Sequence, residues 1–129
     1  MKAIYIVLMT VFAGIFCYCL MAVFSYHRDA RENKKETEEV MREVIQKVPE
    51  GYGGAVAEPK IDFEKLEQMN SDVAGWIVFH EPYVNGPLVQ ADDNSYYLDH
   101  SFRKKENSAG CLFMDYRNQS FDDRHVVIY

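Results

Sequence analysis

The chain has 129 residues, 48% of them hydrophobic, and a formal net charge of −6. That length holds one modest domain with accessories. Residues 61–129 carry twelve acids against six bases, and no basic stripe with interleaved aromatics occurs, so nucleic acid is excluded as a partner.

The first element is Ala3–Phe24, a run of 22 residues without a charge. At the helical rise of ~1.5 Å it reaches about 33 Å, enough to cross a hydrocarbon core of ~30 Å. A cleavable signal would be shorter and would end in a small-x-small site, which AVFSYHRDA lacks. Residues 1–25 are therefore expected to be an uncleaved signal anchor, with the membrane contacted through residues 3–24. Lys2 precedes the run and Arg28, Arg31, Lys34 and Lys35 follow it. A plain count of these cations would keep the following domain in the cytoplasm.

Residues 26–60 have mixed charge. Val40, Val44, Ile45 and Val48 recur at near-helical spacing, which predicts a helix with a thin apolar stripe, ended by Pro49. EGYGGAVAEP then reads as a flexible connector. The segment is expected to be a solvated stalk, since one and a half heptads are too few for a coiled coil. Its acids, Asp29, Glu32, Glu36, Glu38 and Glu39, offset its bases and weaken a lipid-binding reading.

In residues 61–129, Asp62 is the expected N-cap of a helix that places Phe63, Leu66 and Met69 on one face. Asn70-Ser71-Asp72 should stop that helix. Trp76–Phe79 has the composition of a strand, HEPYVNGP reads as a turn, and Leu88–Gln90 as a second strand. Tyr96–Leu98 reads as a short strand or one helical turn. Gly110–Asp115 and Val126–Tyr129 read as further strands. The predicted class is mainly β, an antiparallel or mixed barrel or sandwich introduced by a helix.

Three cysteines give no disulfide framework and no metal-ligand spacing, so no cofactor is expected. Cys17 and Cys19 lie in the apolar run. Cys111 falls inside a predicted strand, where burial would raise its pKa and make it a poor nucleophile. His27, His80, His100 and His125 have no evident nucleophile or orienting partner. Asp92-Asp93 and Asp122-Asp123 are adjacent and diverge on extended backbone; a calcium site at Asp92–Asn94 lacks the EF-hand spacing.

Four segments in order, Leu66–Ile77 (LEQMNSDVAGWI), Pro87–Leu98 (PLVQADDNSYYL), Ala109–Asn118 (AGCLFMDYRN) and His125–Tyr129 (HVVIY), resemble the class B sortases. The resemblance covers residues from about 61 onward. It implies the N-terminal half of a sortase-type β-barrel in 61–129, preceded by the family's N-terminal helix, anchor and stalk. It implies an extracellular domain on a single-pass anchor, against the plain cation count. The family consists of cysteine transpeptidases of Gram-positive cell walls, whose partners are a secreted protein bearing a sorting motif and a cell-wall amine.

The family's working His, Cys and Arg are not matched by any residue of this chain. The His is expected directly after the strand that HVVIY resembles, whereas His125 begins that strand. Cys111 matches a structural position in an earlier strand. Asn94 and Leu98 match positions that line the sorting-motif groove, and they are the substrate-binding candidates; no catalytic residue is assigned. The expectation is an N-terminal portion of a class B sortase, inactive by itself. The alternative is a membrane-anchored, non-enzymatic module that binds sorting-motif peptides. Residues 61–129 alone are expected to be disordered, molten or aggregated, because they bury too little apolar surface to offset chain entropy.

Overall fold

A single helix, α1 (Lys2–Val44), runs without interruption from the apolar segment into the domain in the computed structural model, which describes residues 2–46, 60–80 and 83–129. The apolar half is exposed on all sides, from Ile4 at 64% to Phe24 at 74%, and is long enough to cross a membrane. Beyond it the helix becomes one-sided. Val40 and Val44, one helical turn apart, are fully buried, and Glu36 is 7% exposed. The expected solvated stalk is therefore packed against the domain instead. Two valines make too narrow a stripe to read as a core face, yet they join Leu66, Val89, Tyr97, Phe102 and Phe113 in one cluster.

After α1 the chain turns extended at β1 (Ile45–Gln46), which pairs antiparallel with β2 (Lys60–Ile61). Val44 and Ile45 are β-branched and suit the change from helix to strand. Val48, Pro49, the whole of the predicted connector, Glu81 and Pro82 lie outside the described residues. Next comes α2 (Phe63–Met69). The Asp62 carboxylate accepts the Lys65 amide at 3.1 Å, the expected N-cap. Asn70 closes the helix, its amide donating to the Leu66 carbonyl at 3.0 Å. Leu66 is buried, whereas Phe63 stays 43% exposed.

A hairpin follows, β3 (Val73–His80) against β4 (Tyr83–Val89), with a register shift between Val73 and Gly75. Pairing of His80 with Tyr83 puts the turn before Asn85-Gly86. Asn85 and Gly86 thus lie within β4, not in the turn read from the sequence. Trp76 explains part of this, because its indole N–H donates to the Asn85 side chain at 2.7 Å across the pair. The Tyr96–Leu98 segment is a 3-10 helix.

The sheet continues beyond β4 through single bridges. Val89 pairs parallel with Phe113, and Met114 pairs antiparallel with Ile128. Amide–carbonyl bonds join Val89 to Leu112 and Met114, and Phe113 and Asp115 to Tyr129 and Val127. The order is β3, β4, residues 112–115, residues 127–129. No closed barrel forms among the described residues. Nor is the structure mainly β: α1 alone takes 43 residues, while β3 and β4 take 8 and 7. The predicted strand Gly110–Asp115 is shorter than read because Gly110 has φ +62° and turns the chain. A Cβ there would sit 2.5 Å from the Tyr97 carbonyl oxygen, so the loop presses directly on the 3-10 helix.

Candidate functional site

The densest polar constellation outside the core lies where three segments meet: residues 90–94 after β4, residues 115–118, and the strand 127–129. Asp115 is its centre, 1% exposed at the end of the inner strand. Its Oδ1 accepts the Arg117 amide and Nε, both at 2.9 Å, and its Oδ2 accepts Arg117 Nη2 at 2.7 Å. Asn94 Nδ2 also donates to Oδ2 at 2.8 Å, and the Tyr129 hydroxyl lies 3.2 Å away. The Arg117 guanidinium and amide, aided by Asn94 and Tyr129, hold the Asp115 carboxyl far below the usual carboxylate range despite its burial. Gln90 Nε2 donates to the carbonyls of Asp115 and Asn118 at 2.9 and 2.8 Å. The Arg117, Asn94 and Tyr129 donors converge on an ionised carboxylate and Gln90 ties the adjoining carbonyls, so the cluster fixes loop geometry and has no proton to exchange near neutral pH.

Asn94 is therefore fastened at both ends of its amide, since its Oδ1 also accepts the Tyr116 amide at 3.0 Å. Leu98 is placed differently, on the 3-10 helix with 58% of its surface exposed. Asn94 is committed to the Asp115 cluster while Leu98 offers an open apolar contact. The preceding Asp93 is a cap: its carboxylate accepts the amides of Ser95 and Tyr96 and the Ser95 hydroxyl, at 2.7 to 2.9 Å. These bonds, the Ser95 amide foremost, lower its pKa.

Cys111 lies in a cleft of ≈ 340 Å³ between α1 and β4, with Asn33, Thr37, Gly86 and Tyr129 among its walls. Burial, and then the Glu36 carboxylate, push its thiol up to about 12. It is a neutral thiol over the physiological range, as its place in an apolar run suggested. The His125 ring is exposed, and its backbone carbonyl accepts Asn118 Nδ2 at 2.7 Å. His100 stacks on Tyr96 with ring centroids 4.1 Å apart, its Nδ1 2.6 Å from Asp99. No group of three metal-ligating side chains gathers among the described residues.

The sequence reading missed Gln90, Asp115, Arg117 and Tyr129. Only the Asp115-x-Arg117 pair left a local sign, because an Asp bonding a residue two places on is ordinary turn chemistry. Equally unread was the buried link Asn70–Tyr97–Asp72, with bonds of 2.9 and 2.8 Å, which Lys104 extends at 2.9 Å to the Asp72 carboxylate.

No family model matches the chain. Individual relatives do. Sortase B of Listeria monocytogenes is 34% identical over 73 residues, 56% of this chain and 30% of that protein. Sortase B of Staphylococcus aureus is 27% identical over 122 residues, 95% of this chain and 47% of that protein. Among solved structures, Bacillus anthracis sortase B superposes with a TM-score of 0.63 at 35% identity, over 80% of this chain and 48% of that one. The chain thus spans between about a third and a half of the length of the curated relatives it matches. By sequence and by fold the chain is similar to class B sortases over about half their length or less.

Proposed function

We propose that this chain is the membrane-anchoring and scaffolding portion of a class B sortase-type cysteine transpeptidase, inactive by itself. The observation that carries this reading is the superposition on Bacillus anthracis sortase B at 35% identity, over 48% of that chain. The apolar half of α1 supplies the single span, and the domain lies outside the cell. Asn94, through Asp115 and Tyr116, shapes one corner of the sorting-motif groove, and Leu98 supplies an apolar contact to the peptide. The nucleophile, the histidine and the arginine of the transpeptidation are not among residues 1–129. Cys111 does not replace the nucleophile, because a thiol pushed up to about 12 is protonated at neutral pH.

Fluorogenic peptides carrying sorting motifs, incubated with the full chain in lipid nanodiscs, should show no cleavage and no acyl-enzyme. Turnover that Cys111→Ala abolishes would sink the scaffold reading and make this chain an enzyme. Peptide binding without turnover, weakened by Leu98→Ala, supports the groove assignment. Protease protection in intact cells checks topology: residues 29–129 should be accessible from outside.

A further inference from the structure

Five residues past Phe24 the helix already touches the domain. Asp29 accepts the Ser108 hydroxyl on Oδ2 at 2.7 Å, and its carbonyl accepts Asn107 Nδ2 at 2.9 Å. At ~1.5 Å per residue this contact lies only about 8 Å beyond the apolar run. The domain is consequently held at the membrane surface, not on a spacer. The same packing sorts the charges of α1 by face. Asp29 is bound to Ser108, Glu36 accepts the Arg103 amide at 2.9 Å, and Glu43 pairs with Arg103 at 3.2 Å. These acids turn toward the domain. Arg28, Arg31 and Lys35 remain exposed on an adjoining face at helical spacing. Glu32 and Glu39 stay exposed beside the cations, so the offset in charge along the sequence is reduced in space, not abolished.

Those three cations surround a hollow of ≈ 550 Å³ that also includes Phe24, His27 and Glu32, so three fixed positive charges face one negative. A second, apolar hollow of ≈ 520 Å³ adjoins it on the N-terminal side, lined by Leu20, Met21, Phe24, Ser25 and Arg28. Phe24 and Arg28 are shared. An apolar trough leading into a cationic one matches an acyl chain continuing into a phosphate. Side chains on a helix lean toward its N-terminus, which tips these long cationic groups back toward the bilayer. The Arg28–Asp29 pair, 3.4 Å apart with the guanidinium 68% exposed, is too weak to withdraw Arg28 from a phosphate.

We propose that the face of α1 formed by Phe24, Arg28, Arg31 and Lys35 seats anionic phospholipids, phosphate against the cations and acyl chain along Leu20–Phe24. The inference rests on the membrane-span reading of α1. The full chain, reconstituted in phosphatidylcholine bilayers, is tested with trace spin-labelled phosphatidylglycerol or spin-labelled phosphatidylcholine. Electron paramagnetic resonance gives the share of each lipid held motionally restricted at the protein. The anionic lipid should be preferred by about three-fold or more, within an upper bound of roughly five-fold per cation. The triple variant R28Q/R31Q/K35Q should bring the preference to near unity, while Arg42→Gln, farther along the helix, should leave it unchanged. High salt should erase it in the unaltered chain as well.

A preference that survives the triple variant or high salt overturns the proposal. Loss of the preference on adding inorganic phosphate at matched ionic strength overturns the lipid as the ligand. If no lipid of either kind is restricted, α1 does not span the bilayer and the underlying reading fails. If both are restricted equally, the span stands and the lipid site falls.

Discussion

Along α1 the domain is closed by a helix that delivers Val40 and Val44 to the core and bonds to residues 103, 107, 108 and 110. Along Val127–Tyr129 it is held by backbone bonds to Phe113 and Asp115 and by the Asn118 side chain. Val127 is 42% exposed and Tyr129 50%, and Tyr116 and Phe121 nearby are also open. One side is stabilised chiefly by buried apolar contacts, insensitive to salt and pH, although the Asp29 and Glu36 carboxylates at its rim are not. The other depends on hydrogen bonds and one buried carboxylate, which are sensitive to both. Cooperativity should therefore originate at the α1 side and fade toward the opposite strand.

The sharpest break in that contrast is to remove α1. A fragment of residues 29–129 should melt cooperatively, whereas 61–129 should show no calorimetric transition, because it loses two of the seven buried core residues and the cover over the others. A cooperative melt of 61–129 would show that the helix is not needed. Leu66→Ala, at a fully buried site facing the α1 valines, should cost about 2–5 kcal/mol in denaturant unfolding of residues 29–129. Gly110→Ala should cost roughly 1–3 kcal/mol, since it adds a Cβ at positive φ against the Tyr97 carbonyl; an effect within error would mean the loop can move away.

At the far strand, pH replaces packing. The Asp115 carboxyl has a folded pKa lowered below its unfolded value, so its stabilising effect is present at neutral pH. It begins to fade below about pH 4 and is lost as pH falls through the folded value. Amide exchange at Val127–Tyr129 should accelerate on acidification while that at Val40 and Val44 holds longer. Asp115→Asn should remove the difference. Smallest of all, Val127→Lys should change stability by less than about 0.5 kcal/mol while reducing self-association through the exposed edge.

What the sequence disclosed follows the range of the interactions concerned. The Asp62 cap and the Trp76–Phe79 strand depend on neighbours a few residues away, and each could be read from its surroundings; the neutral Cys111 was legible from its apolar run, although Glu36 adds to it from α1. The Asn85-Gly86 step misled because its turn propensity was outweighed by the Trp76–Asn85 bond and a register set by His80 and Tyr83. The helical stalk hid its role because Glu36, an apparent solvent residue, is buried by partners some seventy positions away, Arg103 among them. The Asp115 cluster was invisible for the same reason: Gln90, Asn94, Arg117 and Tyr129 meet only once the sheet has formed. Asn94, read as a groove residue, is bonded within the fold to Asp115 and Tyr116.

The unbroken course of α1 makes its apolar half and the domain a single torsional unit. With 3.6 residues per turn, one residue inserted between Phe24 and Asp29 would turn the domain by ~100° relative to that apolar half. The azimuth of the surface around Asn94 and Leu98 relative to residues such as Leu20 and Phe24 is then written in the number of residues in one helix.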